Sequence, residues 1–384
     1  MKISVITSTP FPKGLAATNR ITNYCLGLLE HNIQPFVFTI HSTNTPQDPY
    51  LSKGVYKNIQ YSYASKSERP KSFVKRRLND IKDLLLSCKY AYKNDADINY
   101  IYINSNLKEL ILIIASKLGG KKVVRELCEY PYYKKCFQSW ISQAFILPLY
   151  DGHVAISENL FILGNKKKSQ KAKIIKVPIL IDSSNKKIAF EYSHRRPYIF
   201  HGGTLTESKD AIISTMKAFV IVNKKLRKKI DFILAGPTSS DLNELRTIIK
   251  DNQLEDNVIF LGQLTHDEVI KYQKGATLSI LNKKDTIQNQ YGFSTKLGDI
   301  LLAGTPLITT NIGEANNWLV DGESAYITET NNIQLLAEKI LEAFSDESKR
   351  KNIGLKGQQV ALQSFDIVFH GKRLKHFFEN ILAK

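Results

Sequence analysis

Residues 291–313 read YGFSTKLGDILLAGTPLITTNIG, and the fold follows from how this stretch is punctuated. A polar turn containing Gly292 opens it, a short helix pattern follows, and Gly304 closes that helix as a C-terminal glycine does. Pro306 then leads a β-branched run, Leu307 to Thr310, which reads as a buried strand. A loop of small residues ahead of a helix start leaves backbone N–H groups pointing at whatever docks there, so the stretch is a candidate anion site. Asp299, about one helical turn further on, is placed to reach the hydroxyls of a ribose bound at that loop.

Working outward, the same strand–loop–helix alternation fills the chain. Upstream of the opening stretch, strands read at 197–203, 231–237, 257–262 and 277–281, with helical patterns between them. Earlier still, strands read at 2–7, 34–40, 98–104, 121–127, 154–157 and 174–180, with helices at Arg20 to Leu29 and Leu107 to Leu118. Two successive doubly wound α/β halves are the economical explanation, and 384 residues exceed the usual size of one core. The expected domains are 1–181 and 182–365, joined by a polar linker over Asp182 to Arg196. The last segment, Phe365 to Lys384, has helical apolar spacing, and its residues alone do not place it on either half.

Composition narrows the class. No run approaches eighteen apolar residues, and MKISVITSTP reads as a first strand, not a signal peptide, so a cytoplasmic protein is expected. Cys25, Cys88, Cys128 and Cys136 lack metal-like spacing and read as reduced thiols, and no metal site is expected. The net charge of +18 is uneven: residues 1–180 hold 27 Lys and Arg against 12 Asp and Glu, the remainder 27 against 24. Neither the G-x-G-x-x-G dinucleotide fingerprint nor a Walker-type phosphate loop occurs.

Several residues stand where chemistry is done. Gly14, in the first strand-to-helix loop, lets a ligand approach the backbone, although an ordinary loop glycine reads the same way. In GGTLTESKD (202–210) a strand ends on Gly202 and Gly203 and Lys209 starts the next helix, a natural setting for a diphosphate. Glu129 follows a strand and can orient a hydroxyl, or be a plain exposed loop glutamate. His153 reads as a packed or capping histidine, and His201 is ambiguous in the same way. The stretch Lys66 to Lys93 holds nine Lys or Arg against three acids, with apolar residues near one helical face. That pattern suits a helix lying on an anionic membrane, and equally a core-facing helix with a solvated charged side. With no nucleic-acid motif beside the charge, a nucleic-acid partner is not expected.

Taken together, the GLAATNR loop, the GGTLTESKD turn, LAGP, FLGQLTHDEVIKYQKGATLSIL and STKLGDILLAGTPLITTNIGE resemble the GT-B glycosyltransferases, specifically glycosyltransferase family 4. The resemblance covers nearly the whole chain. It implies two Rossmann-like domains facing across a cleft, with the C-terminal helix, 366–384, crossing back to join 1–181 in the first. By position, it gives Lys209 to the donor diphosphate and Asp299 to the ribose hydroxyls, with Asp in place of the usual Glu. Gly292, Phe293, Ser294 and Thr295 match the loop facing the transferred sugar and phosphate, with Lys296 beside it and Gly203 in the phosphate turn. Gly262 and Leu264 match the nucleobase cradle, and Gly14 the loop that closes over the phosphates. Two positions depart from the pattern: Tyr291 stands where a first glutamate is common, and Thr204 where an arginine often partners the lysine.

The resemblance implies a retaining enzyme without a cofactor, its donor a UDP- or GDP-linked sugar. The hexose would pass to a hydroxyl acceptor, with Glu129 as the acceptor-side candidate. The basic first half suits a lipid-linked or growing surface saccharide, as in capsule or lipopolysaccharide synthesis, and attachment to the inner face of the plasma membrane. A sugar-nucleotide epimerase of the same fold, or a non-catalytic partner subunit, are the alternatives.

Overall fold

The computed structural model describes residues 1–14, 16–41, 52–65, 72–132, 134–183, 194–237 and 239–383. The chain divides into two units, one built from residues 1–180 with 367–384 and the other from 181–366. Most of the expected linker and the first part of the 66–93 stretch lie outside the described residues.

The N-terminal unit carries an eight-stranded sheet made of β1 (Ile3–Thr7), β2 (Pro35–Thr39), β3 (Lys53–Tyr56), β4 (Ile59–Tyr63), β5 (Ile98–Tyr102), β6 (Lys122–Leu127), β7 (Gly152–Ala155) and β8 (Lys173–Lys176). Their order is β3-β4-β2-β1-β5-β6-β7-β8, parallel except for the edge strand β3. The chain steps outward from β1 through β2, then returns to the other side of β1 with β5, which makes a topological switch point. Strand β1 is buried along its whole length, as a β-branched run covered on both faces must be. Strand β7 begins two residues earlier than the expected 154–157, and β8 stops at Lys176, two residues short of Pro178, which has no N–H to continue the ladder. The β3–β4 hairpin is absent from the sequence reading. Its two-residue loop, Lys57 and Asn58, has φ of 48° and 62°, the geometry that lets a tight hairpin follow the twist of its strands.

The C-terminal helix Ile367–Leu382 belongs to the N-terminal unit and packs on the helix Ala16–Leu29. Glycines make that crossing close: a Cβ on Gly27 would stand 3.2 Å from the Gly371 Cα and overlap the Ile367 carbonyl. Ile367, Leu374, Phe377, Phe378 and Ile381 are thereby buried in the core that holds Ile3, Val5 and Tyr100.

The helix Phe73–Lys93 leaves an apolar stripe on its outer side. Its buried residues are Asp83, Ser87 and Ala91, whereas Val74, Leu78, Ile81 and Leu85 are 57% to 66% exposed. Ala91, Cys88 and Tyr90 pack on the core, so the helix is core-facing near its C-terminal end and leaves a separate apolar stripe outside.

The second unit repeats the plan with β9 (Tyr198–Gly202), β10 (Asp231–Ala235), β11 (Val258–Gly262), β12 (Leu278–Leu281), β13 (Leu307–Thr310) and β14 (Tyr326–Thr328). All pairings are parallel and the order is β11-β10-β9-β12-β13-β14. The helices Ile212–Lys225 and Ile333–Ser345 bury Phe219, Val222, Leu336 and Ile340 in the main core of this unit. The switch point lies between β9 and β12. Ligands in such sheets sit outside the carboxyl ends of the strands at that crevice, so the loops after Gly202 and Leu281 are the place to look.

Candidate anion-binding site in the C-terminal unit

The loop after β9 turns sharply at Gly203, whose N–H donates to Ala235 O at 2.8 Å. A side chain at Gly203 is excluded by what surrounds it. A Cβ there would overlap Lys296 Nζ and an Asp210 oxygen and stand 2.7 Å from His201 Nε2. Three side chains thus converge on one backbone position, and Asp210 is their centre.

The Asp210 residue is 2% exposed. Lys283 Nζ donates to its Oδ1 at 2.6 Å and Lys296 Nζ to its Oδ2 at 2.6 Å. Thr204 adds its backbone N–H at 3.0 Å and its hydroxyl at 3.1 Å, and His201 Nε2 lies 3.7 Å from Oδ2. The other ring nitrogen of His201 pairs with Ile280 O at 3.1 Å. Burial pushes the carboxyl up, but His201, Lys296 and Lys283 outweigh it and hold Asp210 far below the usual carboxylate range. Burial also pushes the Lys296 ammonium down. Asp210 opposes that, Lys283 and Lys209 add to it, and the net result is about 8.

Each participant is fixed by its element. Lys283 follows β12, and its backbone N–H is anchored on Thr310 Oγ1 at 3.0 Å; its ammonium also reaches Lys209 O at 2.9 Å. Lys296 sits in the first turn of the helix Thr295–Leu302, whose N-cap Ser294 makes no capping bond with its side chain. Lys284 is held separately by Glu207 at 2.8 Å. The centre therefore has two ammonium groups for one carboxylate, and both lysine side chains keep some exposure, 16% for Lys283 and 31% for Lys296.

The expected residues distribute around this centre. Lys209 is exposed one residue before Asp210, near enough to Lys296 to depress it. Thr204 turns its side chain to Asp210, and Lys283 brings a cation to the same carboxylate. Phe293 is buried edge-on against Phe365 with ring centroids 5.7 Å apart, holding the turn before the helix. Gly292 O lies 3.1 Å from where a Cβ of Gly313 would stand, which ties both ends of the opening stretch together.

Asp299 lies half-buried in the second turn of the same helix. Burial pushes its carboxyl up, and His266, the first residue of the helix His266–Gly275, works against that. That helix starts with a capping box between Thr265 and Glu268. Gly262, with φ of 69°, ends β11 and accepts from Gly236 N–H at 2.8 Å, and Leu264 packs on the cluster of Phe200 and Tyr272. Tyr291 ends the short helix Ile287–Tyr291.

Gly14 and Glu129 belong to the N-terminal unit. Gly14 sits over Thr18, whose hydroxyl donates to Pro10 O at 2.6 Å, and Glu129 is exposed just past β6. His153 is fully buried and, by desolvation and the nearby Arg125, is pushed down to about 3, a packed neutral histidine. Asp210 and Lys283 were not read from the sequence; the signal available was Asp210 itself, an acid inside a turn otherwise suited to an anion.

Residues 184–360 match the family model described as glycosyl transferases group 1. Over 133 residues the chain is 27% identical to the capsular polysaccharide biosynthesis glycosyltransferase CapM of Staphylococcus aureus, covering 34% of this chain and 35% of that protein. Over 139 residues it is 30% identical to the poly(glycerol-phosphate) alpha-glucosyltransferase of Bacillus subtilis (strain 168), covering 36% and 19%. The matches span between 19% and 37% of the curated relatives' own lengths. In fold the chain is similar to sucrose-phosphate synthase from Thermosynechococcus elongatus, with a TM-score of 0.79 at 13% identity over 100% of this chain and 99% of that one. It is similar also to Anabaena Alr3699/HepE in complex with UDP and glucose, TM-score 0.75 at 16% identity over 99% and 100%. The architecture is GT-B, and within it residues 184–360 are similar to the group 1 glycosyl transferases.

Proposed function

We propose that the protein is a retaining glycosyltransferase that moves a hexose from a nucleoside diphosphate sugar to a hydroxyl of a lipid-linked or growing surface saccharide. The observation that carries this reading is the cationic surplus at the second switch point, where Lys283 and Lys296 share the single carboxylate of Asp210. In this reading the diphosphate lies against Gly203, the two lysines, Lys209 and the first amides of the helix Thr295–Leu302. Asp299 accepts from the ribose hydroxyls, and the loop of Gly262 and Leu264 takes the base.

As the bond from the anomeric carbon to the diphosphate breaks, negative charge grows on the leaving oxygens. Fixed ammonium groups and amides oriented beforehand stabilise it without reorganising. The acceptor oxygen forms the new bond on the same face while its proton passes to the departing diphosphate oxygen, so the leaving group carries it away. The names of the relatives in capsule and poly(glycerol-phosphate) chemistry support a polymer acceptor.

Thermal shift across UDP-, GDP- and ADP-sugars, followed by transfer assays, tests the reading. A donor-dependent rise in melting temperature is expected with one base. Asp299→Ala and Lys209→Ala should each lose most transfer while the melting temperature without donor stays put. No shift with any donor, or full activity in Asp299→Ala, overturns it. Turnover of donor without acceptor into an epimer would move the chain to another reaction class.

A further inference from the structure

We propose that the outward face of the helices Phe73–Lys93 and Asn106–Leu118 docks on a membrane surface that carries anionic lipid. The inference rests on the lipid-linked acceptor read above and names the surface that would bring this chain to it.

The first observation is inverted amphipathicity. In the helix Phe73–Lys93, Val74, Leu78, Ile81, Leu85 and Tyr92 recur at spacings of four, three, four and seven, which is one stripe of a helix. All five are exposed, while the buried residues of that helix are Asp83, Ser87 and Ala91. A helix that served only the core would hold its leucines inward. Burying such a side chain is worth about 1.5–3 kcal/mol, so a fold that leaves the row outside has stored its apolar surface for something else.

The second observation is that the neighbouring helix does the same on the same side. Leu107, Ile114 and Leu118 form one exposed stripe of Asn106–Leu118. The inner faces of the two helices meet at Asn99 of β5, whose Nδ2 donates to Ala91 O and to Ser116 Oγ, both at 2.9 Å. With both inner faces on one sheet, both outer stripes look away from it.

Charge decides the occupant. Lys75, Lys82 and Lys89 follow the apolar row at seven-residue intervals, and all three are exposed. No carboxylate lies along that edge; Asp83 is buried, and Asp80 lies on the far side of the helix. Two copies of the stripe packed together would set lysine row against lysine row. A bilayer with anionic headgroups instead takes the apolar row into its interface and the lysines onto its phosphates.

Flotation of the full chain with phosphatidylcholine vesicles, with and without phosphatidylglycerol, tests this. Binding is expected only with phosphatidylglycerol and should weaken as salt rises. Leu78→Glu with Leu85→Glu should weaken binding at least roughly tenfold. Lys75→Gln, Lys82→Gln and Lys89→Gln together should weaken it roughly a hundredfold and remove the salt dependence. Both variants should keep the wild-type donor shift, which shows that they fold. No binding to anionic vesicles, or equal binding by the leucine variant, overturns the proposal. So does a concentration-dependent dimer that the leucine variant abolishes, which would give the stripe to a second copy. Vesicle binding without any donor shift would leave the surface standing and remove the glycosyltransferase reading alone.

Discussion

Both units set their second strand on one side of the first and a later strand on the other, yet their buried ionic groups are built on opposite plans. In the N-terminal unit Arg20 faces Glu126 one to one. Its Nε donates to Glu126 at 2.7 Å, and its two remaining nitrogens donate to Pro178 O at 2.8 Å and Val177 O at 2.9 Å. Glu126 receives Tyr100 and Tyr24 as well, and neither partner of the pair is exposed. Around Asp210 in the second unit, two ammonium groups share one carboxylate and reach the solvent. A saturated buried pair holds elements in register, whereas an open pair with charge to spare is ready for an anion.

The largest effect should come from breaking the saturated pair. Arg20→Ala leaves Glu126 buried without its cation and should cost about 3–5 kcal/mol, read as a lower urea midpoint, while UDP affinity per folded molecule stays unchanged. A variant with normal stability would mean that Glu126 finds another partner and that the pair is not the lock described. Breaking the open centre should do the reverse. Lys296→Ala, and likewise Lys283→Ala, should weaken UDP by about 1.5–3 kcal/mol in calorimetry, leave uridine affinity alone and barely move the midpoint. Equal losses for uridine and UDP would relocate the diphosphate.

The smallest expected effect is the pH dependence of that affinity. Lys296, pushed down to about 8, is charged below that pH and loses its proton above it, so UDP affinity should fall as pH rises through 8. One unit above, the loss should be roughly tenfold, and Lys296→Arg, which stays protonated, should flatten it. A flat wild-type profile would show that Lys296 keeps its charge throughout.

Much of the fold could be read along the chain because most of the parallel strands are short buried apolar runs with helical spacing after them. The hairpin Lys53 to Tyr63 could not, since Lys57 and Asn58 lack the Asn-Gly or Asp-Gly pair that announces such a turn. In the site, Lys296 and Asp299 were legible because one local pattern holds both. The contact between Asp210 and Lys283 spans 73 residues and exists because β12 is laid beside β9. That adjacency is set by sheet topology, and no window of sequence contains it. The helix Phe73–Lys93 teaches a related limit: periodicity reveals an apolar stripe but not which way it faces. The small and polar set Ser87, Ala91 and Asp83 on the opposite side was the clue, because close packing against a sheet favours small side chains there.

The seam between Gly27 and Gly371 has a consequence for the order in which the protein is made. The second unit is one uninterrupted segment and can close as soon as it has left the ribosome. The first unit, although its strands emerge earlier, must wait for Leu374, Phe378 and Ile381 to cover Ile21 and Tyr24. During synthesis the earlier half is thus the later one to finish, with apolar surface uncovered until the final helix arrives.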